Sequence, residues 1–280
     1  MNSRKKVGHR SWNEVWPWIV LGILMVITYF PLYWLASMSF KTRIDIITLP
    51  PKWTFKPTAS NYKWVLGQSS IKPAIQNSLM VAILTTALAC LFGVPTAYGL
   101  SRFSFKSREK IESWILTIRM LPPVAVIIPF YMIWTSVKLY DSYMSLVVTY
   151  LVINLPLFIW LMKGFFQDLP KEVEEAAQLD GCSHWGALLQ VALPACLSGF
   201  SVAAMLTFLF TWNEFFFAFV LTSTKATLPV AVASFMTHGL ETKYGEMAAA
   251  GVIASIPALL FLIFCGRLLG RGLSGLIKMK

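Results

Sequence analysis

Apolar residues dominate the chain in six long runs, and the short stretches between them hold nearly all of its charge. A bilayer core is about 30 Å thick, and a helix needs roughly 20 apolar residues to cross it. Runs of that order lie at 16–38, 74–100, 113–136, 143–165, 195–222 and 247–269. The pattern predicts an all-α integral membrane protein with six transmembrane helices. It divides the chain into an N-terminal segment 1–15, a six-span domain 16–272 and a tail 273–280. Pro95 interrupts the second run, and Pro122, Pro123 and Pro129 interrupt the third. Broken spans are tolerated where the freed backbone groups meet protein or a water-filled cavity.

The stretches between the runs differ in kind. Segment 39–73 carries Pro50, Pro51, Pro57 and Pro73 and is expected to be partly extended. Segment 137–142 reads as a tight turn. Segment 223–246 is a second sizeable loop, rich in Thr, Ser, His and Gly. It reads either as a surface that reaches an extracytoplasmic partner or as a solvated connector.

Charge sets the orientation. With the N-terminus inside, fourteen Lys and Arg face the cytoplasm and nine face out, six of those in the 39–73 loop, while Arg119 lies within the third run. That bias places both termini in the cytoplasm. Charged residues make up 13% of the chain against about 25% in soluble domains. The net charge of +11 would point to nucleic acid in a soluble protein. Here the basic residues flank apolar runs, so no nucleic-acid partner is expected. The run at 16–38 is longer than the roughly 7–15 apolar residues of a signal peptide and reads as an uncleaved first span. Cys90, Cys182, Cys196 and Cys265 show no metal-like spacing and read as unpaired, the three in apolar runs as small buried hydrophobes.

The least membrane-like stretch is 168–194, between the fourth and fifth runs. Five of the 13 acidic residues sit there: Asp168, Glu172, Glu174, Glu175 and Asp180. Pro170 suits a first helical turn, and the acids suit the positive end of that helix. Val173, Ala176 and Ala177 share a face of small profile. Gly181 allows a left-handed turn. Trp185, Leu188, Leu189 and Ala192 then form an apolar stripe that Pro194 closes. A helix lying on anionic lipid would be basic. An acidic one on the cytoplasmic side fits docking to a protein.

Glu175-Ala176-Ala177, Asp180-Gly181 and Leu193-Pro194 resemble the EAA loop of membrane subunits of binding-protein-dependent ABC importers. The resemblance covers nearly the whole chain and is to the maltose-type carbohydrate-uptake branch. Asn61-Tyr62, Asn77-Ser78, the stretch Tyr98–Phe103, Leu121-Pro122 with Pro129, Trp212-Asn213-Glu214-Phe215 and the basic glycine-rich tail from Gly270 to Lys278 fit that branch. It implies a permease subunit in the bacterial cytoplasmic membrane whose EAA segment is a cytoplasmic coupling helix between spans four and five. The residues carried over to ATPase coupling are Glu174, Glu175, Ala176, Ala177, Asp180, Gly181 and Pro194. Implied partners are a second homologous permease, two copies of a cytoplasmic ATPase, an extracytoplasmic substrate-binding protein and the bilayer. ATP and Mg would be used by the ATPase, with no cofactor on this chain. One departure stands at Leu188, Leu189 and Gln190, where members of the family often carry aromatic and basic residues. It implies a more apolar pairing surface.

No phosphate-binding loop and no catalytic constellation occurs in the sequence, so no enzyme activity is expected of this chain. His9, His184 and His238 are scattered and read as surface residues. Polar groups within spans cost ~2.5–3.5 kcal/mol at a helix centre on insertion scales. Asn213 and Glu214, in the outer half of the fifth run, fit two readings equally, a pathway or gate and a pairing with another span. Arg119 reads as snorkelling to the interface or forming an interspan ion pair. Gly266 and Gly270 read as a helix-packing pair, and Trp12, Trp16 and Trp18 as interfacial anchors. A secondary transporter is the rival reading, against which stand the absence of an internal repeat and an acidic cluster lying outside the bilayer.

Overall fold

The computed structural model describes residues 12–236 and 243–277, with side chains over 16–235 and 243–267. The basic N-terminal residues Arg4, Lys5, Lys6 and Arg10, His9, His238 of the 223–246 segment, and the tail residues Lys278 and Lys280 lie outside the described residues. So does the side chain of Trp12, and of Gly270 only the helical backbone is described. Every regular element among the described residues is helical.

The chain divides into two compact units, one running through Val65 with Gly239–Ile253, the other Leu66–His238 with Ala254–Lys280. The first unit holds α1 (Trp12–Ser39), the short α2 (Arg43–Ile47) and most of α3 (Ser60–Gly67). The Trp16–Ser39 portion of α1 has mean hydropathy 2.1 and buries none of its most apolar window. Trp16 and Trp18 are exposed, as interfacial anchors would be. The Asn61-Tyr62 pair secures the end of this helix. Asn61 Nδ2 donates to the carbonyls of Ser39 and Lys41, both at 2.9 Å, and the Tyr62 hydroxyl meets that of Ser39 at 2.7 Å. Lys41 is buried with its ammonium over the rings of Trp34 and Phe55, at 4.6 and 5.0 Å.

In the second unit, α4 (Ile71–Arg102), α7 (Tyr143–Asp168) and α10 (Leu197–Trp212) pack together around a core that includes Ala89, Val94, Ala97, Phe158, Met162, Phe166 and Ala203. Two glycines bring these helices close. A Cβ on Gly93 would lie 2.3 Å from Phe158 Cδ1, and one on Gly199 would lie 2.1 Å from Phe165 Cγ. A second cluster joins Val81, Ile127, Trp134, Leu146, Tyr150, Phe217 and Leu221. The α4 helix runs unbroken through Pro95, so the expected interruption is absent there. The final helix, α13 (Tyr244–Ile277), starts in the first unit and continues in the second.

Two of the six runs are not single helices. The third divides into α5 (Arg108–Met120) and α6 (Pro123–Ser136), which meet at 95°. Leu121 and Pro122 between them are extended, with ψ of 124° and 132°. A residue before proline is pushed out of the helical region, and Leu121 and Pro122 both precede one. Pro129 sits inside α6 without breaking it. At the start of the fifth run, α9 (His184–Ala195) turns by 82° into α10, which stops at Trp212. A short α11 (Phe216–Leu221) follows, so the predicted span 195–222 is interrupted at 213–215. Among the described residues four helices are therefore long and apolar enough to cross a membrane unbroken, or up to six spans if each bent pair counts as one. Beyond them, α12 (Leu228–Ala233) lies in the 223–246 loop. All four cysteines are unpaired. Among the described residues, no atom lies within 4 Å of where a Cβ on Gly266 would stand.

Candidate functional site

The EAA segment folds as two short helices joined by a glycine turn. The first is α8 (Lys171–Leu179), with Pro170 immediately before it and Glu172 and Glu174 in its first turn, where the helix dipole favours carboxylates. It ends in a tight cap: the N–H groups of Asp180, Gly181 and Cys182 donate to the carbonyls of Ala176, Gln178 and Ala177, at 3.0–3.1 Å. Gly181 takes φ +96°, a conformation that a side chain resists. Ser183 then caps α9, its hydroxyl accepting from Gly186 N at 3.1 Å. Gln178 Nε2 and His184 Nδ1, 3.2 Å apart, tie the two helices across the turn. Within α9, residues Ala187–Ala192 form a wider π turn that closes with Leu193 N donating to Leu188 O, just before Pro194, which has no N–H to give.

The two faces of this segment differ sharply. Ala187, Leu188 and Ala192 are buried inward. Outward stand Glu172, Val173, Glu175, Ala176, Leu179, Asp180, Gly181 and Trp185, with Leu179 90% exposed and Trp185 63% exposed. Of the residues singled out from sequence, Glu175, Ala176, Asp180 and Gly181 thus share the open side. Ala177 is half-buried, and Pro194 lies exposed at the far end of α9, beside the bend into α10.

Glu174 turns the other way and is 3% exposed. Arg102, the last residue of α4, donates to Glu174 Oε1 through Nε at 2.9 Å and Nη2 at 2.6 Å, and through Nη2 to Leu169 O at 3.0 Å. The Tyr98 hydroxyl donates to Glu174 Oε2 at 2.7 Å. Both carboxylate oxygens are therefore engaged inside the protein. Sequence reading did not assign Arg102 or Tyr98 to this site. The signal available was a basic residue ending a span, where it complements the negative end of the helix.

Asn213 and Glu214 sit at the break after α10. Asn213 is exposed and donates to Leu209 O at 2.9 Å. Glu214 caps α11, accepting from Phe217 N at 2.9 Å and Ala218 N at 3.2 Å, and it accepts from the buried Tyr150 hydroxyl at 2.6 Å. One helix turn along from Tyr150, Asn154 Nδ2 donates to Thr211 Oγ1 at 3.2 Å. Arg119 donates to Ile153 O and Asn154 Oδ1 at 3.3 and 3.4 Å and stacks over Phe210 at 5.0 Å. Its interspan contact is thus made of hydrogen bonds and a ring, and among the described residues no carboxylate pairs with it. Replacing Glu214 by alanine leaves the Tyr150 hydroxyl buried without its acceptor and uncaps α11. The expected loss is about 1–3 kcal/mol of stability, read as a lower melting temperature in detergent, with Asn213→Ala close to wild type. An unchanged melting temperature for Glu214→Ala would remove its capping role.

The start of the 223–246 loop is held by a third constellation. Asp141, itself at φ 55°, accepts from the N–H groups of Ser223, Thr224 and Lys225 at 2.8–3.1 Å and from the Thr224 hydroxyl at 2.6 Å. The Asn77-Ser78 pair completes it: Asn77 donates to Ala226 O and Ser78 accepts from Leu228 N. Burial pushes the Asp141 carboxyl pKa up, but the Thr224 hydroxyl and the three N–H groups outweigh it and hold the pKa below its ordinary value of 3.8. A depressed pKa means that this tether is fully present above the ordinary value and is lost as pH falls through the lower folded one. The loop is thus expected to stay pinned at neutral and mildly acid pH. Asp141→Asn should speed proteolytic cleavage at 223–228 by about tenfold, the factor for ~1.4 kcal/mol of lost hydrogen bonding. Equal cleavage rates for the two proteins would rule the tether out.

Residues 89–275 match the family model described as binding-protein-dependent transport system inner membrane component. The chain is 32% identical over 269 residues to the trehalose transport system permease protein SugB of Mycobacterium tuberculosis, covering 93% of this chain and 97% of that one. It is 33% identical over 264 residues to the sulfoquinovosyl glycerol transport system permease protein SmoH of Agrobacterium fabrum, covering 93% and 92%. The fold is similar to a chain of a bacterial ABC transporter involved in the import of the acidic polysaccharide alginate, with TM-score 0.76 at 19% identity, covering 94% of this chain and 99% of that chain.

Proposed function

The chain belongs to the family of inner membrane components of binding-protein-dependent transport systems, and from that premise we propose that it conducts a carbohydrate as one permease subunit of an ATP-driven importer. It is a multi-pass, non-catalytic membrane subunit. The sugar assignment draws support from the relatives named for trehalose and sulfoquinovosyl glycerol transport. The observation that carries the coupling role is the open side of α8. An acidic helix presenting Glu175, Asp180 and a nearly bare Leu179 beside a fixed glycine turn is a surface built for a protein partner.

In this reading a second homologous permease completes the pathway. Two copies of a cytoplasmic ATPase seat the EAA segments and use ATP and Mg. An extracytoplasmic binding protein delivers the sugar, and the pinned loop from Ser223 offers it a fixed landing surface. Both termini lie in the cytoplasm, as the Lys and Arg bias favours. Closure of the ATPase pair pulls on α8 and α9 and so on the spans joined to them.

Purification from the native host in mild detergent, followed by mass spectrometry, tests this. Recovery of an ATPase and a second permease is the expected result, and a binding protein in the same preparation then identifies the solute by ligand screening. A chain recovered alone that moves solute without ATP would overturn the proposal.

A further inference from the structure

We infer that Arg102, Tyr98 and Glu174 form the joint through which movement of the coupling helix reaches α4; this rests on the importer reading above. The chain itself links α8 to only some of the spans. Leu169 and Pro170 tie it to α7, and the Gly181 turn ties it through α9 to α10. No covalent path of comparable length leads to α4, which ends 69 residues before α8 begins. Yet α4 is the longest helix packed against α7.

One guanidinium closes that gap. Arg102 grips Glu174 in α8 through two N–H groups and Leu169 O at the end of α7 through Nη2, so the ends of three elements meet on it. Tyr98, one helix turn earlier in α4, takes the other carboxylate oxygen. The Tyr98 ring also stands edge-on to Phe166 of α7 at 5.5 Å. Phe103, just past the end of α4, stands edge-on to His184 at the start of α9 at 5.5 Å. The side chains of Arg102 and Glu174 are 9% and 4% exposed. An apolar contact of that size would fill the space at no desolvation cost. What the fork adds is direction: a planar guanidinium against one carboxylate resists sliding and rotation in a way that ring packing does not. Glu174 is thus a positioning residue that acts through Arg102, while its neighbour Glu175 faces the partner.

The test uses the whole importer in proteoliposomes and reads the ATP hydrolysed per solute moved, with recovery of the ATPase as the measure of assembly. Arg102→Glu and Glu174→Arg should each retain the ATPase and raise that ratio about tenfold, in the usual range for coupling between two sites. The double variant, which exchanges the charges, should return to within about threefold of wild type, as expected for directly interacting residues. An unchanged ratio in Glu174→Ala would overturn the joint. So would loss of the ATPase from Glu174→Ala alongside its retention by Arg102→Ala, because Glu174 would then reach the partner itself. If the reversals fail to fold, Tyr98→Phe and Glu174→Gln keep the packed volume, and a wild-type ratio in both would overturn the inference equally. A wild-type preparation without any ATPase would overturn the importer reading, and the joint with it.

Discussion

Valine at Gly181 should cut solute uptake by about tenfold or more while the protein still inserts and purifies normally. The reason is torsional. Gly181 holds φ +96°, and nothing lies within 4 Å of a Cβ built there, so no clash accompanies the change. A left-handed backbone costs an L-residue roughly 1–2 kcal/mol, and more for a β-branched one. That strain is relieved by opening the turn, which releases the bonds from Gly181 N to Gln178 O and from Cys182 N to Ala177 O. The α8 helix then loses its fixed angle to α9, and force applied to one no longer reaches the other. The measurement is uptake and ATP hydrolysis in proteoliposomes against Gly164→Ala, a helical glycine with open space around it. The control should be neutral or slightly stabilising, since alanine favours a helix over glycine by about 1 kcal/mol. Wild-type uptake by Gly181→Val would argue that the angle of this turn is irrelevant to transport.

A larger effect, on folding and not on coupling, is expected from one added methyl group at Gly199 or Gly93. At Gly199 the new Cβ would stand 2.1, 2.3 and 2.6 Å from three carbons of the Phe165 ring, the nearest being its root carbon. Rotating the ring therefore does not clear the space, and α7 and α10 must separate. At Gly93 the clash is 2.3 Å with Phe158, which has no exposed surface and nowhere to move. Overpacking a core usually costs about 1–3 kcal/mol, and contacts this short should reach the top of that range or pass it. Against a total stability of roughly 5–15 kcal/mol, that is enough to remove much of the folded population at growth temperature. Gly199→Ala should give little monodisperse protein in size-exclusion chromatography, and adding Phe165→Ala should recover part of it. A Gly199→Ala protein with unchanged yield and melting temperature would mean that these helices are not in the close contact described.

The breaks in the spans show how far one-dimensional reading goes. Pro122 and Pro123 announced a defect in the third run, because a residue before proline leaves the helical region whatever surrounds it. The same logic named Pro95, where α4 continues, since neighbouring elements can absorb one missing hydrogen bond. The bend between α9 and α10 and the stop at Asn213 had weaker local marks. The bend falls where Pro194 closes α9 and the fifth run begins, whereas the apolar run continued through Asn213 and length alone predicted one helix there.

The contrast between Glu174 and Glu175 shows what stayed hidden. Both sit in an acidic first turn and look alike in the sequence. Adjacent residues on a helix point about 100° apart, so only one of them can face the core. Arg102, far back in the chain, selects Glu174. Glu214 is similar: the Tyr150 hydroxyl that reaches its carboxylate lies 64 residues back in the chain, and nothing near Glu214 names that partner.

Sequence by itself determined the helical membrane class, the apolar stretches long enough to cross a bilayer, the acidic helix-turn-helix and its glycine turn. Those follow from apolar length, local charge and backbone stereochemistry, which need no knowledge of neighbours. Only the tertiary structure decided which carboxylate turns inward, which glycines bring helices into contact, and which arginine binds three elements together. Those depend on side chains that meet across dozens of residues, and a buried polar group is satisfied only by the partner that packing delivers.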